Sequence, residues 1–527
     1  MSSYLAGESS GFGPREPATI NANNCDPPVH RLPPEILVEI VHHSIEPGTC
    51  LRDLIRLTLV CKRWNIIVEG AAVLWGNIDA DEGPSAIRKA LEMAKDTPLD
   101  ITFNEATADI MREDFFKSIG ERIAQWRSFA VALRFRHWRF VLEDLKNGEA
   151  PKLETLCLSG RRGLEGSGDA ITLFGGRSGP PKLRDVTLAY IPINLASLQL
   201  SGLRSLTLER TRGISSTDII NIITGSPNIE SIRLQRLEFL DAEAPSQQVF
   251  SRPASFGNPS IQLPSLLYLS LDDIPASFLS LLLSSIVVPQ LQTFRVDCEL
   301  EEPGDAQLLL AGLHHHTPIM ARLVANAQIF EINVSFLACY HIIIGGLDIT
   351  LLLDDLPCHH SQETLDWVFT HLGKPVEDIP FHLFLDDWEP ELAHLEWLAR
   401  RITPTKLTVY SHPYYGTDPE KIIPSLSRPT SSTPVTWLFP RVEIIKTNLV
   451  WENGNADIVE MIRSRHSAKD GKDGVAAPVP FREIWLSFGG KGSCKSSPLT
   501  LEFLQEVQRV ANGADVYWEK EKLHRSM

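Results

Sequence analysis

The segment with the most chemical promise is Gly489-Gly490-Lys491-Gly492-Ser493-Cys494-Lys495-Ser496. Glycines followed by Lys and Ser can wrap a phosphate with backbone N–H groups when a strand precedes the loop and a helix follows it. A strand pattern ends at Leu486 and a helical one runs from Leu499 to Val510. The position before Lys495, where such a loop needs glycine, holds Cys494, so the backbone loses freedom where it must turn. The apolar strands that end in aspartate, Leu351–Asp354 and Leu383–Asp386, come before the loop, the reverse of the usual order. A surface loop is therefore expected. His314-His315-His316 and Cys358-His359-His360 hold metal-ligating side chains, but neighbouring residues do not converge on one ion, and no second pair stands at ligand spacing. Asp354-Asp355 and Asp386-Asp387 lie at strand ends, where carboxylates serve as turn or helix-cap residues. The Gly-x-Ser-x-Gly string Gly7-Glu8-Ser9-Ser10-Gly11 lies in a Gly/Ser-rich stretch without strand or helix periodicity, so no strand-to-helix elbow offers a nucleophile. Trp126, Arg134, Arg136, His137, Trp138 and Arg139 form a basic-aromatic cluster whose expected role is packing. These residues point away from catalysis: no enzyme activity, cofactor or metal is expected.

Composition narrows the classes further. Among 527 residues the formal net charge is −16, and 43% of residues are hydrophobic. So acidic a chain is a poor non-specific binder of nucleic acid, whose phosphates need a basic surface. Collagen-like and wholly disordered classes fail on composition. The 8 cysteines stand singly, with no Cys-x-x-Cys, so free or buried thiols in a reducing compartment are expected rather than a disulfide framework. The N-terminus shows no secretory signal, and the most apolar run, Phe278 to Val288, is too short to span a bilayer. A soluble chain of the cytoplasm and/or nucleus is expected.

Local elements follow from periodicity. Residues 1–26, rich in Gly, Ser, Pro and Asn, read as a disordered tail. Pro33 and Pro34 open a helix whose apolar face carries Ile36, Leu37, Ile40 and Val41. A second helical run is expected from Leu51 to Val68, with Leu54, Leu57, Val60, Cys61, Trp64 and Val68 on its apolar side. Leu51, Ile55, Leu59 and Ile67 widen that arc past a single stripe, which favours packing on a partner. Leu74-Trp75 closes the segment. A helix over 86–95 and a strand through Leu99, Ile101 and Phe103 follow in a connector, 81–150.

From Pro151 a pattern P-x-L-x-x-L-x-L recurs, with its first apolar residue at Leu153, Leu183, Leu203, Ile229, Leu266 and Leu291. Leucine-rich repeats run about 20–29 residues, and three of the five steps fall near that range. Each copy supplies a short strand whose alternate apolar residues enter a shared core, while residues such as Thr155 and Ser205 face out. Ser216 to Ile223 and Phe278 to Ile286 are candidate covering helices. The expected fold is α/β: a small helical unit at 27–80, then an irregular leucine-rich-repeat solenoid, a curved parallel sheet with covering helices, over 151–300. Residues 301–527 hold further irregular repeats or an α/β cap.

Residues 29–76 resemble an F-box. Leu32-Pro33-Pro34-Glu35-Ile36-Leu37 matches the family's opening, Val60-Cys61-Lys62-Arg63-Trp64 its second element, and Leu74-Trp75 its close. With its repeats, the chain resembles F-box proteins with leucine-rich-repeat tails, as in expanded fungal families. The resemblance implies docking on a Skp1-like adaptor and through it a cullin, with the repeat surface presenting a protein substrate for ubiquitination. A scaffold outside any ligase is the alternative. By resemblance the adaptor contact would use Leu32, Pro33, Pro34, Ile36 and Leu37, with exposed members of Leu54, Leu57, Val60 and Cys61. Ile40, Trp64 and Trp75 would lock the helical core.

Overall fold

The computed structural model describes residues 28–523 except 46–49, 107–111, most of 134–147, 161–171, 175–178, 240–260, 301–303, 328–329, 336–338, most of 353–379, 387–391, 411–421, 431–434, 448–453, 470–474, 488–497, 519–520 and the single positions 192, 199 and 346. The expected N-terminal tail, the Gly489–Ser496 loop, Asp354-Asp355, Cys358-His359-His360 and nearly all of the insert 241–262 lie outside the described residues.

Three short helices come first: α1 (Pro34–Ser44), α2 (Cys50–Thr58) and α3 (Lys62–Gly70). Pro34 sits in the first turn of α1, where its missing N–H costs nothing. The single helical run expected from Leu51 to Val68 is two helices. Leu59 N–H donates to the Arg56 carbonyl and Val60 N–H to the Leu57 carbonyl, tight bonds that end α2. Cys61 is fully extended (φ −161°, ψ 167°) and starts α3. Thr58 and Val60 are β-branched, and the Thr58 hydroxyl is already bonded to the Ile55 carbonyl. Both features weaken helix continuation at this point. The N-terminus of α2 is held from outside the helical unit. The buried Glu82 carboxylate accepts from Leu51 N–H (2.8 Å) and Arg52 N–H (3.1 Å), two amides that no helical carbonyl can reach.

Eighteen strands join into one sheet among the described residues. Its parallel first half runs β1 (Asn77–Asp79), β2 (Leu99–Asn104), β3 (Trp126–Leu133), β4 (Thr155–Gly160), β5 (Asp185–Ala189) and β6 (Ser205–Glu209). It skips β7 (Arg212–Ile214), takes in β8 (Ser231–Gln235), skips β9 (Glu238–Phe239) and β10 (Ile261–Gln262), and takes in β11 (Tyr268–Asp272). It then skips β12 (Ile286–Val287) and takes in β13 (Thr293–Glu299). The skipped strands pair with one another, β7 with β9 and β10 with β12, also parallel. The sheet thus starts at Asn77, well ahead of the first leucine-rich copy. Helices α4 (Pro84–Ala94), α5 (Arg112–Gly120), Ser216–Thr224 and Ala276–Ser285 fill crossovers between its strands. Parallel neighbours need such crossovers because the chain must return to its starting end.

The six leucine-rich copies land on β4, β5, β6, β8, β11 and β13 in one register: Leu156, Val186, Leu206, Ile232, Leu269 and Phe294 are successive partners. All six are buried, as are the residues two further on. A slip by one residue would turn every one of them out to water, so the apolar pattern fixes the pairing. The strands also leave the sheet alike. Tyr190, Arg210, Arg236 and Asp273, each just past a strand, have φ between 45° and 59°, and each donates its N–H to a carbonyl at or near the end of the next strand in the sheet at 2.8 Å. Side chains reinforce this rim: the Arg210 guanidinium lies 5.5 Å from the Tyr190 ring centre, and Arg236 pairs with Asp273.

The second half contains an arrangement absent from the sequence reading. β14 (Phe330–Ser335), β15 (Cys339–Ile344) and β16 (Leu347–Leu352) form an antiparallel meander that enters the sheet in reverse order, β16 beside β13 and β14 beside β17 (Phe381–Asp386). Gly345 makes the turn at φ 60°, where a Cβ would stand 2.9 Å from the Ala327 Cα. The parallel run resumes through β18 (Lys406–Tyr410), β19 (Ile444–Thr447), β20 (Glu483–Leu486) and β21 (Asp515–Trp518), and β22 (Glu521–Lys522) ends it as a hairpin partner. The fold is mixed α/β, with a large, mostly parallel sheet and its helices. One apolar core runs from Val41 to Val516, so the N-terminal helices and the sheet share it.

Candidate functional site

Two surfaces carry the chemistry of this chain. The first is the outside of the N-terminal helices. On α1 the 3.6-residue period separates two pairs that look equivalent in sequence. Leu37 and Val41 point inward (1% and 3% exposed), while Ile36 and Ile40 point outward (48% and 44%). Leu59 and Val60, on the turn that splits the expected long helix, are 79% and 61% exposed, and Ile66 on α3 is 62% exposed. With Val29 and Val73, 7 of the 13 large hydrophobic residues exposed among the described residues fall between 29 and 73. Single exposed apolar residues need no explanation, but this concentration makes the outside of the helical unit a candidate site.

The expected adaptor residues divide accordingly. Pro33, Pro34, Ile36 and Val60 are exposed, and Leu32, Leu57 and Cys61 are half-buried. Leu37 and Leu54, expected on that surface, are interior residues instead; Leu54 is fully buried. Ile40, expected in the core, is on the outside with Ile36, because α1 packs its Leu37–Val41 side against its neighbours. Trp75 is fully buried and its indole N–H donates to the Val68 carbonyl in α3 at 2.8 Å. Trp64 is half-buried against the core. Leu59 lay in the widened apolar arc and Ile66 sits beyond the helix break; only the break shows that they face water. The Arg63 guanidinium ties the opening segment to α3 through the Leu32 carbonyl at 2.7 Å. Cys50 is buried, and burial followed by the nearby Glu82 charge pushes its thiol up to about 11, so it is no nucleophile.

The second surface is the face of the sheet that carries the polar alternates. Here Asp272 and Asp297 are register partners on β11 and β13, their carboxyl groups on the same face. Burial, then the Asp272 charge, pushes the Asp297 carboxyl up to about 6, against the opposing pull of Arg295. A carboxyl with a higher pKa folded than unfolded holds its proton more tightly in the native state. Its stabilising contribution is present below pH 3.8 and is lost as pH rises through about 6. Asp297→Asn removes the charge with little change of shape. It is expected to raise stability at pH 7 by about 1–2 kcal/mol after solvent screening, and to flatten the pH 4–7 slope of urea midpoints.

The remaining chemical candidates of the sequence disperse. His314 and His315 are exposed, whereas His316 is buried with its Nε2 2.7 Å from the Leu283 carbonyl. Trp126 stacks on Phe129 and donates to the Ile119 carbonyl, and Trp138 is buried, so both serve packing. Among the described residues no group of three His, Cys, Asp or Glu side chains could hold a metal, and no helix is long and apolar enough to cross a membrane.

Comparison with known proteins bears on the first surface. Residues 29–81 match the F-box-like family, so the chain carries an F-box-like domain near its N-terminus. The match begins just ahead of the Pro33-Pro34 helix opening and ends one residue short of Glu82, which holds α2 from outside it. No curated protein matches the chain.

Proposed function

We propose that this protein is the substrate-recognition subunit of a Skp1–cullin–F-box ubiquitin ligase. The observation that carries this reading is the apolar surface of Ile36, Ile40, Leu59, Val60 and Ile66 inside a segment that matches the F-box-like family. F-box domains typically bind Skp1, and an adaptor seated there would cover side chains that otherwise cost hydrophobic free energy. The rest of the chain is the recognition arm. The six P-x-L-x-x-L-x-L copies, sharing one register, support reading it as an irregular leucine-rich-repeat array of the kind found in fungal-type F-box families. The protein itself catalyses nothing; it raises the local concentration of substrate at the conjugating enzyme, leading to ubiquitin-dependent degradation in the cytoplasm and/or nucleus.

The test is reconstitution with purified full-length chain, a Skp1-type adaptor and a cullin. Co-elution of all three in size-exclusion chromatography, with substrate capture from extract followed by its ubiquitination, is the expected result. Capture of the adaptor without any ubiquitination would favour a non-ligase scaffold. Failure to bind the adaptor at all would overturn the proposal.

A further inference from the structure

We propose that Glu82 is a positioning residue for adaptor docking: its carboxylate latches the N-terminus of α2 to the first strand of the sheet, so that the sheet sets how the turn Leu59–Val60 is presented. The identity of the partner rests on the receptor reading. Glu82 lies one residue beyond the segment that matches the F-box-like family. Its carboxylate is buried (8% exposed) and is divided between two amides, Oε1 accepting from Leu51 N–H and Oε2 from Arg52 N–H. Hydrogen bonds to a carboxylate are roughly twice as strong as neutral ones, and a negative charge at a helix N-terminus also meets the positive end of the helix dipole. A buried carboxylate without such donors is costly, so this contact has one favoured geometry.

The sheet fixes where Glu82 stands. β1 pairs with β2 from Asn77 with Asp100 to Asp79 with Thr102. The chain then makes a tight 3-10 turn over Ala80–Glu82, opened by the Asp79 carboxylate, which accepts from Asp81 N–H at 2.9 Å. Gly83 follows at φ 81° and ψ 155°, a region that glycine enters readily and residues with a Cβ avoid. Pro84 starts α4. Strand pairing before Glu82 and a helix directly after it leave its backbone one course.

α2 carries that placement to the docking side. It has 9 residues, about 13 Å of helix, too short to persist on its own. It depends on packing against β1 and α4, where Leu51 and Leu54 are fully buried, and on how its ends are held. One end is the Glu82 contact. The other is the turn with Leu59, at 79% the most exposed large hydrophobic side chain among the described residues, and Val60. A second crossing from sheet to helices acts elsewhere. Lys89 of α4 pairs with Glu69 of α3 at 3.0 Å, both side chains partly exposed, so the helical unit stays attached when Glu82 is changed.

The test uses full-length protein and a purified Skp1-type adaptor, with affinity, urea unfolding and amide hydrogen exchange measured on the same samples. Glu82→Ala is expected to speed exchange at Leu51 and Arg52 and to weaken adaptor binding about tenfold beyond its unfolded fraction. Glu82→Gln keeps one accepting oxygen and should lose no more than about threefold. Coupling between two sites is reciprocal, so adaptor binding to the wild type should slow exchange in β1. Glu82→Ala should abolish that slowing. Lys89→Met, which breaks a partly exposed pair to α3, should keep it. A Glu82 that only stabilises the fold would lower affinity in step with the unfolded fraction and leave the slowing in β1 intact. Either result, with wild-type binding present, would overturn this proposal alone. A wild type that does not bind the adaptor would overturn the receptor reading and this proposal with it.

Discussion

Ile36→Asp combined with Val60→Asp is expected to weaken adaptor capture by about 100-fold or more while shifting stability by no more than about 0.5 kcal/mol. Both side chains are largely exposed (48% and 61%), so a carboxylate there stays hydrated in the free protein and becomes a buried, unpaired charge only when a partner covers it. Leu54→Ala is expected to do the reverse. Leu54 is fully buried, and truncation costs about 2–5 kcal/mol through lost burial and the cavity left behind. Adaptor binding by that variant should fall only in proportion to its unfolded fraction. Titrating immobilised adaptor with each variant, alongside urea unfolding of the same samples, separates the two. Full binding by the double aspartate variant would show that the exposed apolar surface is not the contact.

Trp75→Ala is expected to cost about 3–5 kcal/mol, enough to leave the helical unit largely unfolded at 37 °C. The indole is fully buried and donates to the Val68 carbonyl, so its loss opens a cavity and leaves an acceptor in α3 without its partner. Trp75 also abuts the start of the sheet at Asn77, and Lys89 of α4 lies 5.5 Å from its ring centre while pairing with Glu69 of α3 at 3.0 Å. Because one apolar core joins the helices to the sheet, hydrogen exchange in Trp75→Ala should rise in β1 and β2 as well as in α1–α3. Protection lost from the helices alone would show that the helical unit unfolds independently of the sheet.

Much of this organisation was legible in the residues. The recurring leucines of Pro151 to Val296 mark strands because alternate apolar residues can satisfy only a two-residue period, and the structure places all six copies in one register. The candidate covering helix from Ser216 to Ile223 falls within Ser216–Thr224, and the one from Phe278 to Ile286 overlaps Ala276–Ser285. The β14–β16 meander was not legible. Its apolar run through Ile342 and Leu347 fits a buried strand or helix equally well, and reverse insertion depends on partners far along the chain.

Residue types and their spacing determined where apolar faces form, which copies must pair, and that an F-box-like opening stands ahead of them. The tertiary structure alone decided which of two adjacent apolar pairs faces water. Ile36 with Ile40 and Leu37 with Val41 have the same spacing and similar hydrophobicity, so only the packing of α1 on its neighbours tells them apart. The same holds for the polar faces. Asp272 and Asp297, or Lys406 and Lys446, stand 25 and 40 residues apart in the chain, and only strand pairing brings their charges within reach of one another.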